Sequence, residues 1–152
     1  MNRIEIKTTC LKTDKQALYK DIFVDNTPFQ DLLRENHLKE FSEGRFKEVF
    51  TPYLIDSRQN SMDIDALRLE KFIPTNSEKH ILPIYGCQDG CCMYVYILIS
   101  RKNNHIVWEK VGRNNAYVRD QKNSKEKIEW LTNFKSLHFN DIDYKNAVHQ
   151  LK

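Results

Sequence analysis

Ile81-Leu82-Pro83-Ile84-Tyr85-Gly86-Cys87-Gln88-Asp89-Gly90-Cys91-Cys92-Met93-Tyr94-Val95-Tyr96-Ile97-Leu98-Ile99 is the stretch that decides the fold. Ile81 to Tyr85 and Cys92 to Ile99 are β-prone at odd and even positions alike, as expected of strands covered on both faces. The Gly/Cys segment between them is too short for anything but a turn. Downstream, Lys102-Asn103-Asn104-His105 leads into the apolar run Ile106 to Val111. Asparagine tolerates positive φ at little cost, so the Asn pair predicts a second hairpin turn.

Working outward, Ile4 and Ile6 alternate with charges and Ala17 to Val24 is again β-prone. The polar Lys12-Thr13-Asp14-Lys15-Gln16 between them predicts an opening hairpin. Thr27-Pro28-Phe29-Gln30 reads as a helix start, with Thr27 as cap, Pro28 where a missing N–H costs nothing and Gln30 closing a capping box. Phe29, Leu32 and Leu33 form its inward stripe. A second short helix is expected after Ser42, with Phe46, Val49 and Phe50 on one face, ended by Thr51-Pro52. Met62 to Phe72 fits a helix or an extended segment, and periodicity alone does not decide. After Gly112 the reading is a polar stretch to about Lys127 and then a last strand from Phe134 to Phe139. Asn140 is expected to cap a closing helix, on which Tyr144, Ala147, Val148 and Leu151 recur at helical spacing. No repeat, linker or low-complexity tract divides the chain, so residues 1–152 read as a single α+β domain, a mainly antiparallel sheet with helices packed on one face.

Composition bounds the function. The chain has 152 residues, 40% hydrophobic and 30% charged, an ordinary globular balance that predicts one core. The longest apolar run, Met93 to Ile99, is far short of the roughly 20 residues that span a bilayer. Met1-Asn2-Arg3-Ile4-Glu5-Ile6-Lys7 alternates apolar with charged residues and lacks the apolar stretch of a secretory signal. The expectation is a cytoplasmic protein with no membrane partner, whose four cysteines (Cys10, Cys87, Cys91 and Cys92) are reduced. Net charge is +3, unevenly spread: residues 1–76 carry −1 and residues 77–152 carry +4.

Catalytic signatures are absent from the sequence. Four glycines in no compact array make no phosphate-cradling loop, and neither H-E-x-x-H nor G-x-S-x-G occurs. The Asp63-Ile64-Asp65 pair lacks the flanking pattern of a calcium loop and reads as solvated chain. Cys87 and Cys91 are candidate zinc ligands, with His80 or His105 to complete a set. A second ligand pair is missing, however, and Cys91 and Cys92, adjacent in a strand, point to opposite faces. The expectation is packing thiols, no metal and no cofactor. His105 with His138 on adjacent strands is a conceivable acid–base pair, set against ordinary surface or core histidines. The basic segment 101–127 has a net charge of +5 with Trp108 and Tyr117 interleaved, the ingredients of a nucleic-acid interface or of a loop kept in water.

Leu82-Pro83-Ile84-Tyr85-Gly86-Cys87, Gly90-Cys91-Cys92, Ile106-Val107-Trp108-Glu109, and Leu137-His138-Phe139-Asn140 with Tyr144 together resemble a group of small bacterial proteins. That group shares a cysteine–glycine turn, a Val-x-Trp strand and a terminal Phe-x-Phe-Asp, Tyr signature. It includes immunity proteins paired with contact-dependent growth inhibition and other polymorphic toxins. The likeness covers about residues 80 to 150, and the chain departs from it at Asp89, where relatives carry a second cysteine. The resemblance implies a monomer that is not an enzyme and that docks one-to-one on a cognate toxin C-terminal domain, blocking its active site. A nuclease toxin would be basic, and opposite charge speeds capture, so Asp56, Asp63, Asp65 and Glu70 are the first candidate contacts. The overall charge of +3 fits that idea poorly: either the toxin is not strongly basic, or the acidic surface is local, or the stretch around Arg113, Tyr117 and Arg119 is the contact. A nucleic-acid-binding module and a small enzyme are the rival readings.

Overall fold

The computed structural model describes residues 1–10, 18–36, 51–52, 71–86, 94–114 and 128–150. Nine strands and two helices are formed among them. β1 (Ile4–Cys10), β2 (Leu18–Val24) and β3 (Thr27–Pro28) make an antiparallel three-stranded sheet in the order β1-β2-β3. α1 (Phe29–Asn36) follows directly. β4 (Thr51–Pro52), β5 (Lys79–Gly86), β6 (Tyr94–Lys102) and β7 (His105–Asn114) pair in chain order in a larger antiparallel sheet. β8 (Ile128–Trp130) and β9 (Leu137–Asn140) share the far edge of β7, one on Gly112–Asn114 and the other on His105–Trp108. α2 (Asp141–His149) closes the described chain.

The opening hairpin and the central strands lie where the residue pattern places them. Ile4 faces Val24 and Ile6 faces Ile22, and this apolar side enters the interior. Asn103 takes φ 55° in the Asn103–Asn104 turn between β6 and β7, a conformation that asparagine adopts more readily than most residues. Along β6, Val95, Ile97 and Ile99 belong to the core while Tyr96 and Ser100 on the other side are also buried, so this strand is covered on both faces. Both helices pack on the same face of the large sheet, since the Trp108 ring on β7 meets Phe29 of α1 and Tyr144 of α2.

Two bulges set the interior. On β5 the register shifts between Pro83 and Tyr85, leaving Ile84 as the extra residue, so Leu82, Ile84 and Tyr85 are all buried despite breaking strict alternation. On β7 the extra residue is Glu109, which puts Ile106, Trp108 and Val111 in one core. A period-two pattern cannot anticipate either shift.

Three expectations need correction. Thr27 and Pro28 do not open the helix: they pair with Val24 and Phe23 as a strand, and α1 starts at Phe29. The cause is the preceding Asp25-Asn26 pair, with φ 50° and 69°, a two-residue turn whose twist suits a hairpin. Gln30 is therefore buried and bonded to Asp21 instead of closing a capping box. The strand after the second Asn turn runs on past Gly112 to Asn114, and the last strand begins at Leu137 and not at Phe134. The expected helix after Ser42 lies outside the described residues, and Thr51-Pro52, read as its stop, form β4.

Asn140 caps α2 as expected, its side-chain oxygen accepting from the N–H groups of Ile142 at 3.0 Å and Asp143 at 3.3 Å. The two sheets are stitched by Asn2, whose N–H donates to the His138 carbonyl at 2.7 Å while its Oδ1 accepts from the His138 N–H at 2.9 Å. Asp25 holds the same segment, accepting from the Asn2 amide and the Arg3 N–H.

Candidate functional site

Polar side chains gather in two places. The first is internal. Asp21 on β2 is 1% exposed, and its carboxylate accepts from the Ile22 N–H at 2.7 Å, the Gln30 amide at 2.7 Å and the Tyr85 hydroxyl at 2.9 Å. Gln30 in turn accepts from Arg34, which also faces Asp31 at 3.6 Å. Burial pushes the Asp21 carboxyl above its usual range, against the hydrogen bonds from Gln30, Tyr85 and Ile22 that favour its charged form. Three donors on one carboxylate make this a satisfied strut that ties the small sheet to α1 and β5.

The second place is the edge of the large sheet where the β6–β7 turn meets β9. The register sets Val107 opposite His138 and His105 opposite Asn140, so the two histidines form a diagonal pair on one face. Their ring centroids are 5.4 Å apart, and the Ser136 hydroxyl lies 3.1 Å from His138 Nε2. Burial holds His138 below the usual imidazole range, and the charges of His105, Lys102 and the amino terminus act in the same direction. Glu109, turned out by the β7 bulge, meets Lys79 at 3.2 Å and Lys102 at 3.7 Å. Partial burial alone would raise its carboxyl, but the bond from Lys79 and the charges of both lysines outweigh that and lower it.

The residues singled out in the sequence are distributed unevenly over these places. Asp56, Asp63, Asp65 and Glu70 lie outside the described residues, as do Tyr117 and Arg119. Arg113 is described: it stands on β7 opposite Val95 and Glu129, half-buried, with its Nε enclosed. Cys87 and Cys91 are outside the described residues, yet their neighbours Gly86 and Tyr94 are paired at one end of the β5–β6 ladder. His80 lies six residues back along β5, roughly 20 Å away, and His105 follows the turn at that same far end. Among the described residues no group of three or more His, Cys, Asp or Glu is placed to hold a metal.

The basic segment is also altered by the fold. Trp108 is 0% exposed, enclosed by Phe29, Phe139 and Tyr144, so it cannot stack on a base. Arg101 is bound to the Pro74 carbonyl at 2.7 Å and to Asp141 at 2.9 Å. Those two cations-and-ring assignments therefore belong to the scaffold and not to a nucleic-acid face.

Part of the resemblance rests on internal residues. Leu82, Ile84, Tyr85, Trp108, Phe139 and Tyr144 are all buried, and the Trp108 Nε1–H donates to the Tyr144 hydroxyl at 3.1 Å. Among the described residues no helix is long and apolar enough to cross a membrane. Compared with protein-family models, with curated proteins and with solved structures, the chain matches none of them.

Proposed function

We propose that this protein is a toxin-neutralising immunity protein, which binds a cognate toxin domain one-to-one and blocks its active site. The observation that carries the reading is the burial of Leu82, Ile84, Tyr85, Trp108, Phe139 and Tyr144 among the resembling residues. Their polar atoms are committed to one another and to the fold: Tyr85 to Asp21, Trp108 to Tyr144, Asn140 to the α2 N-terminus. A signature made of core residues preserves a scaffold and leaves the surface free to differ, as proteins matched to different toxins require. The enclosure of Trp108 removes one aromatic from the nucleic-acid rival.

An interface of this kind buries roughly 1,200 to 2,000 Å² and draws its affinity from a few desolvated anchors. The acidic set Asp56, Asp63, Asp65 and Glu70 and the basic set Arg113, Tyr117 and Arg119 are the two surfaces to test. The experiment is co-purification of the full chain with the toxin domain encoded beside its gene, with the mass of the complex measured. A one-to-one complex is expected. A chain that elutes alone and instead retains nucleic acid in a salt-dependent manner would contradict the proposal.

A further inference from the structure

The rim formed by His105, His138, Ser136 and Lys102 is used by neither the core nor the partner reading. We propose that it binds a tetrahedral oxyanion carrying two negative charges, of the phosphate-monoester class, with the two imidazoles, the Lys102 ammonium and the Ser136 hydroxyl as donors. The inference stands independently of the toxin partner.

Geometry supplies the first argument. Two half-buried histidines stand diagonally on one face with rings 5.4 Å apart, and a hydroxyl lies 3.1 Å from one of them. Lys102 is the cross-strand partner of His105 at the turn. An oxyanion with several acceptors can take donors from more than one such group at once.

The sign of the local charge supplies the second. Two histidines can also serve a metal site, but the positive charges of Lys102 and the amino terminus bear on His138. Of the carboxylates, Asp141 of α2 is paired with Arg101 and Lys145 and Glu5 of β1 with Arg3 and Lys7, while Glu109 meets Lys79 at 3.2 Å and stands further from Lys102, at 3.7 Å. A metal cation would meet repulsion there, and a dianion would meet compensation. His138 is held toward its neutral form in the free protein, so binding a dianion should draw in protons.

The test uses the full chain and follows the histidine ring protons by NMR while sodium sulfate is added, against sodium chloride at equal ionic strength. Sulfate keeps both charges between about pH 6 and pH 8, so any pH dependence belongs to the protein. The His105 and His138 signals should move saturably with sulfate and not with chloride, with affinity at least about fivefold higher near pH 6 than near pH 8. Methyl phosphate should produce the same movements near pH 8. Lys102→Gln, an exposed change, should weaken binding, and His105→Gln should weaken it as well while leaving the melting curve intact. Signals that chloride moves equally, sulfate affinity indifferent to pH, rejection of methyl phosphate, or capture of Zn²⁺ by both rings at lower concentration than sulfate would each overturn the assignment.

Discussion

Replacing Trp108 by Phe probes the claim that the resembling residues form a scaffold, and the structure sets the expected size of the effect. The ring is 0% exposed and packs edge-on against Phe29 and Phe139, each at 5.1 Å, and Tyr144 at 6.4 Å. The smaller ring leaves a void and weakens three aromatic contacts, and it strips the buried Tyr144 hydroxyl of the donor at 3.1 Å. Cavity and contacts together should cost about 2 kcal/mol, and the orphaned hydroxyl about 1 kcal/mol more. Tyr144→Phe alone leaves the indole N–H buried without an acceptor and should cost about 1–2 kcal/mol. In the Trp108→Phe background the same change removes a group already orphaned, so it should be neutral or stabilising. The coupling between the two sites should therefore be about 1–2 kcal/mol. Urea unfolding followed by far-ultraviolet circular dichroism reads all four proteins, with the slope compared to exclude a change in cooperativity. Additivity within about 0.5 kcal/mol would refute the reasoning.

Asp21→Asn removes a buried charge whose folded pKa lies above its unfolded value of 3.8. Such a carboxyl binds more protons folded than unfolded, so wild-type stability falls relative to Asp21→Asn as pH rises from the unfolded pKa through the folded one, then runs parallel. Paired urea titrations across that window check the sign, and a difference that grows in favour of the wild type with rising pH would contradict it. Asn140→Ala should lose about 0.5–2 kcal/mol by uncapping α2, measured by thermal or urea unfolding. Gly112→Ala drives a Cβ into Ile128 Cγ2 and places it 2.8 Å from Trp130 and 2.9 Å from the Glu129 carbonyl. It should cost about 1–3 kcal/mol and speed amide exchange in β8 before the rest of the sheet.

Much of the architecture was legible because apolar periodicity and turn chemistry act locally. The Ile4/Ile6 alternation, the Asn103-Asn104 turn and the Asn140 cap each follow from a few adjacent residues. What was not legible depends on distant partners. The bulges at Ile84 and Glu109 answer to the strand alongside, and the β8–β9 division of one edge depends on Gly112 lacking a side chain beneath Ile128 and Trp130. Asp25-Asn26 and Thr27-Pro28 carry competing local signals within four residues, and the turn prevails over the helix start. The pairing of His105 with His138 is legible from strand adjacency alone, whereas the company of Ser136 and of Lys102, whose charge makes the rim positive, emerges only from the folded edge. Trp108 shows the opposite error, since an aromatic within a basic segment looks like a stacking platform until tertiary packing encloses it.

The most direct test of the central claim is growth of cells producing the toxin domain encoded beside this protein's gene, with and without the protein itself. The account predicts that wild type restores growth, and that Asp21→Asn or Asn140→Ala protects in proportion to the folded fraction that remains. Growth arrest unrelieved by well-folded wild-type protein, with no complex recovered, would contradict it.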